Sequence, residues 1–286
     1  MRHFAHYFPN GPFTLAEQLP IDGGDDGEPA GPGHLHNRAC SAPAGAHIDN
    51  GSMTDPVARD PQYEKFADEF LEHAADGFYN AYVDRPACLS LLGDVAGLHV
   101  LDAACGPGLY AAELVARGAR VTGLDQSPRM ISICRDRVPE GDFRVHDLAD
   151  PVTWLPDASV DLVLFALAVE YLNDRVSALR ELRRVLRPGG ALVLSRLHPT
   201  GDWLRHGGDY FDVRTVRESW HGGTWDMHYW LSPLEVTCDE IYQAGFLIER
   251  LVEPRPLPAG AAVDPEQYER INCSPRGFIA FRLLAR

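Results

Sequence analysis

The amino-acid sequence predicts an α/β fold built on a doubly wound, mostly parallel sheet. Short apolar runs alternate with amphipathic runs between residues 98 and 198, and such alternation is typical of βαβ units. The run VDLVLFALAV at 160–169 is almost entirely apolar, as expected of a strand that is covered on both faces. Two glycines follow the first apolar run and precede a helical one, and such a turn lets a backbone approach a ligand closely.

Composition and charge exclude several classes of protein. Hydrophobic residues make up 45% of the 286 residues and charged residues 23%, which is ordinary for a globular protein. The formal charge of -15 argues against nucleic acid as a partner. No apolar run approaches the ~18 residues that span a bilayer, and the six cysteines form no C-x-x-C pair. We therefore expect a cytoplasmic protein with no membrane association, metal site or disulfide framework.

The first 52 residues differ in composition from the rest of the chain. They are rich in Gly, Pro, Asp and Ala and poor in large apolar residues, so they cannot bury enough surface to offset the entropy of ordering. We expect a disordered or extended tail over 1–52 and one folded domain over 53–286. Aromatic residues recur at helical spacing in 62–92, which predicts helices there.

The strands and helices of the domain follow in order. Gly118 is placed to end the first helix of the alternating region, while Ser127 and Pro128 are placed to begin the second. The Pro-Gly-Gly sequence at 188–190 ends the third. The predicted strands are 98–104, 119–125, 141–147, one within 159–172, 191–198, 246–253 and 276–286, and the helices between them are 106–118, 127–138, 173–190 and 232–245.

Residues 198–232 interrupt this rhythm between the fifth strand and the next helix. Four of the five tryptophans lie there, together with several histidines. An insertion of this length is typical of a lid or a substrate wall, and clustered aromatic residues suit a flat apolar or aromatic ligand. The pairs Gly207-Gly208 and Gly222-Gly223 are expected to form hairpin turns.

The sequence VLDAACGPGLYAAELVARGARVTGLDQSPRMI at 100–131 resembles the first motif and second strand of class I S-adenosylmethionine-dependent methyltransferases. VHDLAD at 145–150 and LRRVLRPGGALVLS at 182–195 match the family's later motifs. YEKFADEF and YNAYVDRP near the start of the domain are similar to the methyltransferase type-11 group, which acts on small molecules. The resemblance covers about 62–284 and implies a Rossmann-like seven-stranded sheet of order 3-2-1-4-5-7-6, with the last strand antiparallel.

The resemblance also implies a site for S-adenosyl-L-methionine, with the helices at 62–92 as its lid. Alanine replaces the family's first glycine at Ala104, which is compatible with the turn if its φ is negative. Asp125, at the end of the second strand, is placed to bind the ribose hydroxyls. Tyr63, with Tyr79 and Tyr82 as alternatives, is expected to close the site. The cofactor-binding residues implied are Tyr63, Asp102, Ala104, Gly106, Gly108, Asp125, Gln126, Met130, Asp147, Leu148 and Phe165.

The methyl acceptor is expected beyond the ends of the fourth and fifth strands. His198 is the first candidate for a general base, because imidazole titrates near neutrality, and Glu170 is the second. The abundance of histidine there favours transfer to oxygen over transfer to nitrogen or carbon of a small organic metabolite. The predicted substrate-pocket residues are Tyr171, Trp203, His221, Trp225, His228 and Trp230.

Two other functions fit part of the pattern. Gly106-x-Gly108-x-x-Ala111 matches the dinucleotide fingerprint of NAD(P)-dependent oxidoreductases, although that fold gives no role to Asp102 or Asp147. The departure at Ala104 is compatible with a non-catalytic scaffold that only binds the cofactor. The sequence does not decide between a monomer and a homodimer.

Overall fold

The computed structural model describes residues 55–275 and 277–286. The predicted tail over 1–52 lies outside these residues. In the described part of the chain, none of the helices combines the length and the apolar character needed to cross a membrane.

Seven strands form the central sheet, in the order β3-β2-β1-β4-β5-β9-β8. Strands β1 to β5 run parallel, and β9 pairs antiparallel with both β5 and β8. Since β8 and β9 are the sixth and seventh strands of this sheet along the chain, the predicted order 3-2-1-4-5-7-6 is confirmed. The strands are β1 (His99–Ala103), β2 (Arg120–Asp125), β3 (Asp142–Val145), β4 (Val160–Ala166), β5 (Leu186–Leu197), β8 (Phe246–Val252) and β9 (Phe278–Ala285), while β6 (Arg214–Trp220) and β7 (Trp225–Leu231) form a separate pair.

The helices begin and end largely where their capping residues predict. The Ser127 hydroxyl accepts a hydrogen bond from the backbone N–H of Met130 at 3.0 Å, and Asp174 caps a later helix through the N–H of Ser177 at 2.9 Å. Such caps satisfy N–H groups that the helix leaves unpaired. The helices are α1 (Ala67–Asp76), α2 (Arg85–Leu92), α3 (Leu109–Ala116), α4 (Pro128–Arg137), α5 (Arg175–Val185), α6 (Pro199–His206), α7 (Leu234–Gln243), α8 (Gly260–Val263) and α9 (Pro265–Asn272).

Strand β4 lies at the centre of the sheet and is buried on both faces. Val163 and Phe165 pack in the core on one face, while Leu162 and Leu164 pack in the core on the other. This alternation is expected of a parallel strand with helices above and below it. This packing places the carboxyl end of β4 at the middle of the edge at which the parallel strands end.

The insertion between β5 and α7 consists of α6 and the β6–β7 hairpin. Strands β6 and β7 pair antiparallel, with Trp220 opposite Trp225, and the Gly222-Gly223 pair lies in the turn as predicted. The expectation of a hairpin turn at Gly207-Gly208 was wrong. Gly207 instead ends α6 with a φ of 63° and a ψ of -158°, a backbone conformation that is essentially restricted to glycine.

The segment from residue 55 to α1 crosses the carboxyl edge of the sheet. Val57 exchanges two hydrogen bonds with the side chain of Asn173, at 2.9 and 2.8 Å. The Gln62 side chain exchanges two with the backbone of His228 in β7, at 2.8 and 2.7 Å. These contacts hold the segment and the hairpin together over the ends of the parallel strands.

Candidate active site

A cavity of about 610 Å³ opens at the carboxyl edge of the parallel strands. Its walls come from the loops after β1, β2, β3 and β4, from the segment before α1, and from the β6–β7 hairpin. Ligands of doubly wound sheets bind at this edge. The cavity therefore lies where the sequence predicts the site.

The turn between β1 and α3 has an unusual backbone. Ala104, Gly106 and Gly108 have φ values of 65°, 51° and 80°. At Gly108 a Cβ would lie 2.6 Å from the Sγ of Cys134, so only glycine fits there. The condition of a negative φ is not met at Ala104, because the turn keeps the left-handed conformation that glycine would adopt.

Replacing Ala104 with glycine is expected to stabilise the fold by about 0.5–1 kcal/mol, because relief of the left-handed strain exceeds the added entropy of the unfolded chain. The midpoint of thermal unfolding should rise by about 1–4 °C. Ala103→Gly, one residue earlier in β1 where φ is not positive, is the matched control and should destabilise. A lower midpoint for Ala104→Gly would contradict the assignment of strain.

Asp125 lies at the end of β2 and lines the cavity. One carboxylate oxygen accepts a hydrogen bond from the N–H of Gly106 and the other from the N–H of Ser127, each at 2.9 Å. Burial raises the pKa of this carboxyl to about 6, against the opposing effect of the two amides. Because each oxygen has a second lone pair, both can still accept hydrogen bonds from a ligand.

Asp102 is buried at the end of β1, and its Oδ2 has no hydrogen-bond partner among the described residues. Burial, followed by the charge of Asp125, raises the pKa of its carboxyl to about 7. An unpaired buried oxygen is costly. Asp102 itself is not among the residues that line the cavity.

The other predicted cofactor residues, apart from Gly108 and Asp102, also line the cavity, with Gln126 after β2 and Leu148 after β3. Asp147 accepts hydrogen bonds from the Nε of Arg59 and the N–H of Ala149, both at 2.8 Å. Met130 and Phe165 also line the wall and are almost fully buried. Sequence reasoning missed Arg59, which reaches Asp147 from the segment before α1.

Glu170 follows β4 and lines the opposite part of the cavity. Its Oε1 accepts a hydrogen bond from the N–H of Leu197 at 3.2 Å. Its Oε2 is buried without a partner in the described part of the chain. Burial raises the pKa of the carboxyl, opposed by the charge of Arg196. A buried carboxylate with one unoccupied oxygen is well suited to accept a proton.

Two tyrosine hydroxyls meet beside Glu170. The hydroxyl groups of Tyr63 and Tyr171 lie 2.9 Å apart, and both residues line the cavity. Burial raises the pKa of each phenol above its ordinary value, so both stay protonated. Tyr79 also lines the cavity, but its hydroxyl is bound to Gln267 at 2.7 Å.

The glycine turn and the acid after the second strand lie together at this edge, in a sheet that has the strand order given above. One sequence family matches this region of the chain. The family described as "Methyltransferase domain" matches residues 101–194, which contain the glycine turn and Asp125. This part of the chain is therefore similar to a methyltransferase domain.

Curated relatives of the methyltransferase domain match part of the chain. A trans-aconitate 2-methyltransferase from Azoarcus sp. (strain BH72) is 37% identical over 141 residues, which are 49% of this chain and 50% of that protein. A malonyl-[acyl-carrier protein] O-methyltransferase from Serratia marcescens is 39% identical over 101 residues, 35% of this chain and 39% of that protein. The chain thus spans half or less of the length of these curated relatives.

The fold of the methyltransferase domain is also found among solved structures. A Listeria monocytogenes protein described as an S-adenosylmethionine-dependent methyltransferase superposes with a TM-score of 0.61 at 20% identity. The match covers 76% of this chain and 99% of that one. At this identity the similarity shows a shared fold.

The structure does not bring His198, the first candidate for a general base, into this cavity. The residue is buried and does not line the cavity. Its Nδ1 accepts a hydrogen bond from the N–H of Thr200 at 3.1 Å, which caps α6. Its Nε2 lies 3.0 Å from Glu253, and burial lowers the pKa of the ring. Because α6 begins at Pro199, the imidazole is used as a helix cap instead of facing an acceptor.

The predicted substrate-pocket residues divide into two groups. Tyr171, His221 and Trp225 line the cavity, and Trp225 is stacked between Phe66 at 4.8 Å and His221 at 4.4 Å. The expectation that the other three line it was wrong. Trp203 donates to the carbonyl of Gly208 and Trp230 donates to Asn173. His228 is buried on the face of β7 opposite Trp225.

Arg85, which sequence reasoning missed, lines the cavity at the start of α2. Its Nη2 donates to the carbonyl of Ala75 at 2.7 Å, and the guanidinium has no carboxylate partner in the described residues. The neighbouring Asp84 accepts a hydrogen bond from the Tyr110 hydroxyl at 2.5 Å, which places this corner beside the start of α3. The only sequence signal was the YNAYVDRP motif, which contains Arg85.

Proposed function

We propose that this protein transfers a methyl group from S-adenosylmethionine to an oxygen atom of a small organic acceptor. The observation that carries the proposal is one cavity that is lined both by the glycine turn with the half-buried carboxylate of Asp125 and by the partly unpaired carboxylate of Glu170. The Serratia marcescens relative is named as an O-methyltransferase, which favours oxygen as the acceptor atom.

The polar groups beside the glycine turn suit the chemistry of S-adenosylmethionine. Asp125 would accept hydrogen bonds from the ribose hydroxyls, and Met130 and Leu148 would pack against the adenine. The guanidinium of Arg85, which has no carboxylate partner in the described residues, suits the methionine carboxylate. When bound, the cofactor supplies a methyl group that its sulfonium has already activated.

The chain's own residues have three tasks in this reaction. Glu170 accepts the proton of the acceptor hydroxyl, for which its raised pKa makes it a stronger base than an exposed glutamate. The Tyr63–Tyr171 hydroxyl pair orients the acceptor oxygen, and alignment dominates the rate because the displacement is in line. The β6–β7 hairpin and the segment before α1 exclude water.

Isothermal titration calorimetry with S-adenosylhomocysteine tests the proposal. We expect saturable binding at one site, and no binding of NADH under the same conditions. The same protein is then assayed with radiolabelled methyl donor against hydroxylated, amino and carbon acceptors. NADH binding without S-adenosylhomocysteine binding would favour the oxidoreductase. Cofactor binding with no methyl transfer to any acceptor would favour the scaffold.

A further inference from the structure

Arg205 projects from α6 and lines the cavity on the side of the hairpin. Its Nη1 lies 3.3 Å from the Oε2 of Glu218, longer than a usual charge-assisted bond of about 2.7–2.9 Å. Its Nε and Nη2 have no hydrogen-bond partner among the described residues. Glu218 is not among the residues that line the cavity, so the cavity faces the cation of this pair and not the anion.

Glu218 compensates Arg205 only in part, because the same carboxylate oxygen serves other donors. It accepts hydrogen bonds from the Nε1 of Trp220 at 2.7 Å and the hydroxyl of Tyr229 at 2.8 Å, and the Nε2 of His206 lies 3.7 Å away. Asp202, another carboxyl near Arg205, has its pKa raised to about 7 by burial and is therefore only partly ionised at neutral pH. Arg205 keeps unused donors and net positive charge toward the cavity.

The position of Arg205 is on the acceptor side of the cavity. Tyr229, whose hydroxyl donates to the same oxygen of Glu218 as Arg205, packs against Tyr171 with ring centroids 6.3 Å apart, and the Tyr171 hydroxyl meets that of Tyr63. Of the other two cavity arginines, Arg59 is bound to Asp147 and Asp150. The remaining one, Arg85, is assigned above to the cofactor.

An aromatic wall lies beside Arg205. Trp220, His221 and Trp225 line the cavity at the end of the hairpin, and His73 of α1 lies against this wall, 5.4 Å from His221. Flat aromatic walls favour flat ligands. The aromatic wall and the cation of Arg205 together favour a flat ligand that carries a negative charge.

We propose that the acceptor is a planar organic acid whose anionic group pairs with Arg205 while its flat body lies along Trp220 and His221. This inference rests on the proposed function and specifies its substrate class. Arg205 is then a residue that determines specificity, and it acts by binding the acceptor and not by moving a proton. Neutral analogues of the same shape leave the guanidinium without its partner and bind more weakly.

The test compares 4-hydroxybenzoate with 4-hydroxybenzamide as probes, each titrated into protein saturated with S-adenosylhomocysteine. Tryptophan fluorescence and calorimetry report binding without any turnover. In the native protein the acid should bind about tenfold or more tightly than the amide. In Arg205→Met this preference should disappear, and in Arg205→Lys part of it should remain. Arg205→Gln, which can still donate to Glu218, should also lose it and covers the case that Arg205→Met fails to fold.

Arg282→Met is the matched control. Arg282 donates to Glu249 at 2.7 Å and to the carbonyl of Leu91 at 2.8 Å, and it does not line the cavity, so the preference should be unchanged. Equal binding of acid and amide, binding of neither, or an unchanged preference in Arg205→Gln would overturn the inference. If S-adenosylhomocysteine itself does not bind the native protein, the proposed function fails as well, so the two failures are distinguishable.

Discussion

Replacing Asp125 with alanine should weaken S-adenosylhomocysteine binding by about 100-fold or more. A hydrogen bond to a charged group contributes about 1.5–3 kcal/mol, and the carboxylate is placed to accept two from the ribose. It also holds the N–H groups of Gly106 and Ser127, so its removal loosens the glycine turn that the same ligand contacts. Calorimetry on the native and variant proteins measures the loss directly.

The pH dependence of S-adenosylhomocysteine binding distinguishes the effect of the negative charge of Asp125 from the effect of its side-chain shape. Burial raises its pKa to about 6, and a ribose hydroxyl donates best to the ionised form. Affinity should therefore be constant above that pKa and fall as the pH decreases through it. Asp125→Asn, which keeps the size and one acceptor, should bind more weakly than the native protein at pH 8 but should not show this fall. An unchanged affinity in Asp125→Ala would remove the ribose from this position.

The sheet and the position of the cavity at its carboxyl edge were predictable because they depend on local pattern. Strand-end acids such as Asp125 are found from the apolar run that precedes them, and parallel strands bring their carboxyl ends to one edge whatever the loops do. The conformation of Ala104 was not predictable in this way. It depends on the turn as a whole, which imposes a positive φ on a residue that disfavours it.

The acceptor end was less predictable because it depends on which face each residue occupies. In β7, Trp225, Met227, Tyr229 and Leu231 pack in one cluster, so His228 and Trp230 must lie on the opposite face. From composition alone, these aromatic residues of the insertion were predicted to line the same pocket. Arg205 and Arg85 reach the cavity from elements far apart in the chain, and only tertiary structure brings such residues together.

Replacing Glu170 with glutamine should lower the turnover number by about 10²–10⁴-fold, the usual contribution of a general base, provided that the acceptor is a hydroxyl group. Glutamine keeps the size and the oxygen that accepts from Leu197, but it cannot take a proton. S-adenosylhomocysteine affinity should change little, because Glu170 lies at the other end of the cavity. Single-turnover assays with saturating cofactor separate this step from binding.

The pH profile and a matched control distinguish this role from a structural one. Turnover of the native protein should fall as the pH decreases through the raised pKa of Glu170, since only the ionised carboxylate accepts a proton; the variant should lack that acid limb. His198→Asn keeps a side chain that caps α6 well and should leave both turnover and the acid limb unchanged. If the His198 variant lost turnover and the Glu170 variant kept it, the assignment of Glu170 as the base would be contradicted. The base would then have to act from outside the cavity that contains the glycine turn, which in-line transfer does not permit.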